Sequence, residues 1–401
     1  MTVLDERSQV ESLIAASVIT RARELTDVDD PCPQHFMANL DVVIRCMNEE
    51  ASLTSAGVAG TAAQLVIAAR NRIEVDRYLA DHPEVGREPI GAPIFLTGLP
   101  RSGTTYFQYL FDQDPSLRMM RTWEGDRPVP PPALDAASVL ERRTASAEAK
   151  ARVRKELGDK MDAMHLIDID GPQECLAILD QTYINPGLLW MFSAPGYLDY
   201  LLEQADLISA YQHHSQVLRL LQTGAPPRRW ALKWPCHLLA LDAIVAVYPD
   251  ARFVVTHRDP VQALASNCSL ASHLRVGTSP HSAPEQVGRD MLELVRRHVD
   301  RLVEFDLTQS AQGRQNMIHV DYYELVARPE SVMPDVFTRL GLDWTDAVER
   351  AVVAWRSDNP QGKRGRHDYT LEEYGLDRDT VADAFSAYTE RFAIPSEYAS
   401  A

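Results

Sequence analysis

Between Gly98 and Thr105 the chain reads Gly-Leu-Pro-Arg-Ser-Gly-Thr-Thr. Two glycines separated by four residues, then hydroxyl side chains, fit the frame in which converging backbone N–H groups cradle a phosphate. Gly98 and Gly103 let the backbone curl. A helix beginning just after them would place roughly half a positive charge behind the amides. The frame departs from its usual form at one position: Thr104 stands where a lysine is normal, and the cation is Arg101, inside the loop. A nucleoside triphosphatase needs that lysine on the β- and γ-phosphates and a carboxylate on a neighbouring strand for Mg²⁺. The candidate neighbouring strand runs Phe253-Val-Val-Thr-His257-Arg258-Asp259, so threonine and histidine take the place of the carboxylate. The loop therefore predicts arginine-assisted binding of an anionic nucleotide without a metal.

A second anion site is predicted at the end of that strand. Arg258 lies where ligands bind in open parallel sheets. Asp259-Pro260 has the residues of a helix cap and first turn. Ser266 follows Asp259 by two helical turns and shares its face. Arg258 and Ser266 could flank a second phosphate, and two anion sites suit a nucleotide with phosphates at both ends of its ribose.

These residues need a scaffold. Ile94–Thr97, Trp230–Lys233, Arg252–Thr256 and Met317–Val320 are short apolar runs of the kind buried parallel strands use. Helical patterns separate them, including Leu238–Val247 and the helix opened by Pro260. The expected fold is α/β, a parallel central sheet flanked by helices. Residues 1–89 read as a helical N-terminal extension, with stripes near Val10–Val18, Met37–Leu53 and Gly60–Leu79. The Pro/Gly-rich stretch from His82 to Pro93 marks its boundary. Residues 90–401 form the expected catalytic domain, with a helical insertion at about 136–225 that carries many aromatics. His213-His214 lacks accompanying metal-ligand spacing and is expected on a helix surface.

The whole chain has 401 residues, 40 basic and 57 acidic, for a net charge of -17. Such a balance opposes a broad nucleic-acid footprint, which needs basic stripes. Five cysteines in no paired spacing read as reduced thiols. No secretory leader or apolar run of spanning length is legible, so the expected location is cytoplasmic. Monomer and homo-oligomer are both compatible with the sequence.

Taken together, the motifs resemble the sulfotransferases that use 3'-phosphoadenosine 5'-phosphosulfate (PAPS), in the bacterial branch with an arginine-type loop. Pro100-Arg-Ser-Gly-Thr-Thr105 is similar to the family's 5'-phosphosulfate loop, which implies donor contacts from Pro100, Arg101, Ser102, Gly103, Thr104 and Thr105. Arg258 and Ser266 are similar to its 3'-phosphate pair. Tyr323-Glu324 before Pro329 resembles the Tyr-Glu pair in which the tyrosine contacts adenine. Gly362-Lys-Arg-Gly-Arg366 loosely resembles the late loop that closes on the 3'-phosphate, implying Lys363, Arg364 and Gly365. The resemblance covers roughly residues 90–375. It implies a P-loop nucleoside-triphosphatase-like sulfotransferase fold, PAPS as donor, 3',5'-diphosphoadenosine (PAP) as product, and no metal.

Sulfuryl transfer, like phosphoryl transfer, is an in-line displacement with charge growing on the leaving oxygen. Arg101 is placed to neutralise it. Lys233, at a strand end, resembles the family lysine on the bridging oxygen. The acceptor hydroxyl also needs a base. Glu124 is the first candidate, since relatives with an arginine loop place a catalytic glutamate near there. His237 is the second, four residues after Lys233 where the cytosolic branch has a histidine two after. Glu174 and the aromatics from Tyr183 to Tyr211 are candidates to line an acceptor cavity. The expected acceptor is a small-molecule alcohol, lipid-like or a glycolipid. A P-loop kinase or nucleoside triphosphatase, and a non-catalytic scaffold of the same fold, are the alternatives.

Overall fold

The computed structural model describes residues 12–26, 28, 32–157, 168–279, 282–359 and 370–397. Five strands form one parallel sheet: β1 Ile94–Gly98, β2 Leu117–Arg118, β3 Arg229–Lys233, β4 Arg252–His257 and β5 Met317–Asp321. Their order is β2-β3-β1-β4-β5, which puts the strand before the glycine loop at the centre. All five residues of β1 are buried. That follows from its position between β3 and β4 with helices on both faces, where a side chain of either parity meets apolar neighbours. β2 is two residues long and was not visible as an apolar run.

The N-terminal stripes fold as three helices, α1 Ala15–Thr26, α2 Gln34–Glu50 and α3 Ser55–Asp81. Thr54 caps α3 by accepting from the Gly57 N–H. Their buried faces, with Phe36, Leu40, Val43, Leu65 and Ala69, join the same apolar core as Phe95, Phe253 and Val255 of the sheet. A second cluster lies under the other face, around Leu96, Phe107, Phe111, Val254 and Phe337. Each fully buried side chain of this kind contributes about 2 kcal/mol of transfer free energy.

Two local expectations are corrected. The stretch expected as one helix from Leu238 begins as a 3-10 turn at Pro235–Ala240 and becomes α-helical only over Leu241–Val247. Proline at its start and the tight turn out of β3 favour the narrower winding. His213 and His214 are not on a surface: both are buried, with His213 Nε2 3.0 Å from Gln181 Oε1 and His214 Nδ1 2.8 Å from Tyr248 Oη. Polar partners inside the core make that burial tolerable.

Candidate active site

The glycine loop leaves β1 and enters helix α4, Thr104–Phe111. At Gly98 a side chain is sterically excluded, because a Cβ would lie 2.4 Å from the Thr256 carbonyl oxygen. Arg101 takes φ +72°, the left-handed region that non-glycine residues rarely occupy. The loop is held in this form by the strand and helix beside it. Ser102 Oγ is 2.8 Å from Thr256 Oγ1, Arg258 donates to the Arg101 carbonyl at 2.9 Å, and Asn267 Nδ2 donates to the Pro100 carbonyl at 3.0 Å. Arg101 Nε donates to Ser266 Oγ at 3.1 Å. Asp259 caps the helix Pro260–Thr278 and so aims Ser266 at the loop.

A cavity of about 400 Å³ opens beside this loop. Pro100, Arg101, Gly103, Thr104 and Thr105 border it on one side, with Arg258, Ser266 and Tyr322. Lys233 reaches its floor from the end of β3 and donates to Thr105 Oγ1 at 2.9 Å. Lys233 is 1% exposed, and a buried ammonium needs a counter-charge. Glu174 supplies it through a direct ion pair with the Lys233 Nζ. The backbone sets this meeting: Cys175 N–H donates to the Lys233 carbonyl at 2.9 Å, and Gln173 N–H donates to the Met120 carbonyl at 2.7 Å. Leu176, Trp190, Trp234, Pro235, Leu270 and Leu274 also line the cavity.

A second cavity, about 520 Å³, adjoins the first at Gly103 and Tyr322. Tyr106, Val353, Arg356 and Asn359 line it as well. A Cβ on Gly103 would lie 2.7 Å from the Tyr322 ring, so the loop can pass between the cavities only as glycine.

The expected site residues are thus brought together in part. Pro100, Arg101, Gly103, Thr104, Thr105, Lys233, Arg258 and Ser266 share one cavity. Ser102 does not border it; the residue is wholly buried and ties the loop to β4. Glu124 is elsewhere. Its two oxygens accept from Arg118 at 2.7 and 2.9 Å, and Oε2 accepts the Arg121 N–H at 2.7 Å. His237 is also outside the cavity, buried edge-on to Phe95 with Nδ1 2.6 Å from Tyr211 Oη. Burial holds its imidazole well below the usual histidine range, helped by His214 and Lys233. Tyr323 turns its hydroxyl to Glu397, at 2.7 Å, and accepts from Asp259 N–H at 3.2 Å, while Tyr322 takes the cavity wall. Lys363, Arg364 and Gly365 lie outside the described residues.

Residues the motifs did not single out complete the site: Tyr106, Tyr322, Arg356, Asn359 and Asn267. Tyr106 directly follows Thr105, so an aromatic just beyond the loop was the available signal. Nothing in the spacing pointed to Asn267 or to the helix Asp346–Asp358. Among the described residues no group of three or more His, Cys, Asp or Glu side chains could hold a metal ion.

A parallel sheet, an arginine-bearing glycine loop at its central strand and cations converging on one cavity define a P-loop-like α/β transferase. The chain belongs to the Sulfotransferase family, whose sequence profile matches residues 93–346. It is an enzyme that transfers sulfur-containing groups, and the family generally uses PAPS as donor. The fold is similar to that of sulfotransferase STF9 from Mycobacterium avium, at 27% identity and a TM-score of 0.85, over 98% of this chain and all of that one. Sulfotransferase STF1 from Mycobacterium tuberculosis H37Rv is similar at 28% identity and a TM-score of 0.82, over 94% of this chain and all of that one. None of the curated proteins matches the chain. The similarity extends across α1–α3, which the family profile does not reach.

Proposed function

We propose that the paired cavities bind PAPS and that the chain transfers its sulfuryl group to an alcohol, on a lipid-like or glycolipid acceptor. The observation that carries this reading is the convergence of Arg101, Thr105, Lys233, Arg258 and Ser266 on one cavity, with Glu174 on Lys233. The loop amides with Thr104 and Thr105 would hold the 5'-phosphosulfate. Arg258 and Ser266 would take the 3'-phosphate. The second cavity, with Tyr106 and Tyr322, has the aromatic walls a purine requires.

In the transfer, the acceptor oxygen forms a bond to sulfur as the bond from sulfur to the 5'-phosphate oxygen breaks. The electron pair of that bond leaves on the phosphate, where Arg101 and Lys233 neutralise it. The acceptor's proton passes to Glu174, the only carboxylate among the described residues bordering the first cavity. Glu124 and His237 are less suited, since each is committed to partners outside it. All five cysteines are unpaired, which supports a reducing compartment such as the cytoplasm.

The test is ligand-induced stabilisation of the full chain. PAP at a hundredfold excess over its Kd should raise stability by about 2.7 kcal/mol without Mg²⁺. Stabilisation by ATP that depends on Mg²⁺, with none from PAP, would instead favour a kinase or triphosphatase.

A further inference from the structure

The first cavity has an apolar wall as well as a cationic loop side. Leu176, Trp190, Trp234, Pro235, Leu270 and Leu274 form that wall, and no arginine or lysine stands among them. Most of its polar atoms are already paired within the protein. Trp190 Nε1 donates to Asn267 Oδ1 at 3.0 Å, and Asn267 Nδ2 donates to the Pro100 and Ala263 carbonyls at 3.0 and 2.8 Å. Thr97 Oγ1 donates to the carbonyls of Trp234 and Pro235 at 3.1 and 3.0 Å. Trp234 Nε1 is the exception, buried and without a hydrogen-bond partner. Gly187 keeps the wall open, since a Cβ there would lie 3.1 Å from Leu176 Cδ1 and 3.3 Å from Trp234 Cη2. Beyond the Trp234 indole N–H and the weakly polar thiol of Cys236, the next hydrogen-bonding groups not tied up within the wall are those of Lys233, Glu174 and Thr105 at the floor.

Resting on the sulfuryl-transfer reading above, we propose that the acceptor is a neutral lipid alcohol, a hydroxyl on an apolar chain or ring body, and not a sugar hydroxyl. The floor can read one hydroxyl: it loses its proton to Glu174 as its oxygen bonds to sulfur. For any further hydroxyl the wall offers at most the buried indole N–H of Trp234, far fewer partners than a sugar's several hydroxyls require. A hydroxyl buried there without a partner forfeits its hydrogen bonds to water, which lowers kcat/KM on the order of tenfold for each one. An anionic acceptor fares no better, because the cations of this cavity are those that would hold the donor. An apolar body, in contrast, gains transfer free energy over the whole wall.

The experiment gives the full chain PAPS carrying labelled sulfate, with four neutral acceptors: 1-dodecanol, cholesterol, trehalose and octyl glucoside. Transfer to dodecanol and cholesterol should exceed transfer to either sugar by about a hundredfold in kcat/KM. Leu274→Gln should lower the value for dodecanol about tenfold and leave PAP affinity within about twofold. Labelling of a sugar hydroxyl of trehalose or octyl glucoside at rates comparable to dodecanol overturns the proposal. So does PAP binding accompanied by no transfer to either apolar alcohol. A chain that does not bind PAP at all fails the donor reading instead, and the two failures are thereby told apart.

Discussion

Two buried glutamates have very different surroundings in this molecule, and the difference decides what each substitution should do. Glu124 meets a bidentate guanidinium and a backbone N–H, so its charge is fully engaged in fixing the turn after β2. Glu124→Gln breaks a buried pair and leaves Arg118 without its counter-charge, a loss of about 3–5 kcal/mol. Thermal melting should show it, with turnover per folded molecule preserved. Glu174 borders the cavity and touches the lysine on its floor. Glu174→Gln also takes the counter-charge from buried Lys233 and should lower the melting temperature, but beyond that it should lower kcat per folded molecule by about 10²–10⁴-fold and leave PAP affinity within a few-fold, measured by calorimetry beside steady-state rates. The reverse pattern would return the base to Glu124. The sequence offered Glu124 as the base and Glu174 only as a cavity-lining residue, because nothing local ties Glu174 to Lys233. Glu174 reaches Lys233 through one backbone bond, Cys175 N–H to the Lys233 carbonyl, between segments far apart in the chain. Arg101, Arg258 and Ser266 were legible because their chemistry is local to strand ends and helix starts.

At the scale of elements, the loop and the helix Pro260–Thr278 behave as one clamp. Arg101 sits at positive φ, a conformation that costs of order 1 kcal/mol or more and persists only where the surroundings impose it. Arg258 and Asn267 impose it through the carbonyls of residues 101 and 100. Asn267→Ala leaves the Pro100 carbonyl and the Trp190 indole N–H buried and unpaired, at about 1–3 kcal/mol each. Both the melting temperature and PAP affinity should fall. An unchanged PAP affinity at lowered stability would show that the loop keeps its shape unaided. The four longer strands were readable because sheet burial favours near-continuous apolar runs, broken in the edge strand β5 at the exposed His319. β2 escaped notice because two residues carry no period. The His213-His214 pair was placed on a surface because partners such as Gln181 and Tyr248 arrive from distant segments.

At the scale of the whole molecule, buried histidines make stability depend on pH. Burial holds His214 at about 3 and His298 at about 4, and burial with a contribution from His319 holds His257 at about 3. Each binds its proton more readily when the chain unfolds, near 6.5. Their contribution is complete above that value and is lost as pH falls through it toward the folded values. At pH 5 each should cost about 2 kcal/mol. Calorimetry from pH 7.5 to 5 should show a steep fall in melting temperature with proton uptake on unfolding; a flat profile would contradict it. The core explains why such a loss would be global, since α1–α3 and one face of the sheet share a single apolar cluster. The sequence marked a boundary near residue 89 from proline and glycine, which register a break in local regularity and nothing about the packing across it.

If Arg258 takes the donor's 3'-phosphate as proposed, the end of the described chain bears on that site in another way. Glu397 Oε1 pairs with Arg258 Nε at 2.9 Å and accepts from Tyr323 Oη, while its N–H binds Asp259 Oδ2 at 2.9 Å. The helix Ser386–Phe392 that leads to it is fastened by Arg391 to Asp306 and by Tyr388 to His257. A phosphate arriving at Arg258 therefore competes with a carboxylate that is covalently part of the enzyme and present at a fixed local concentration. Observed affinity is the intrinsic affinity scaled by the fraction of molecules in which that carboxylate has let go. Glu397→Gln should tighten PAP binding several-fold in calorimetric titration, and weaker binding would mean that the carboxylate orients Arg258 for the ligand. On the competition view, residues such as Tyr388 and Arg391 set donor affinity without touching the donor, by determining how often the tether lifts.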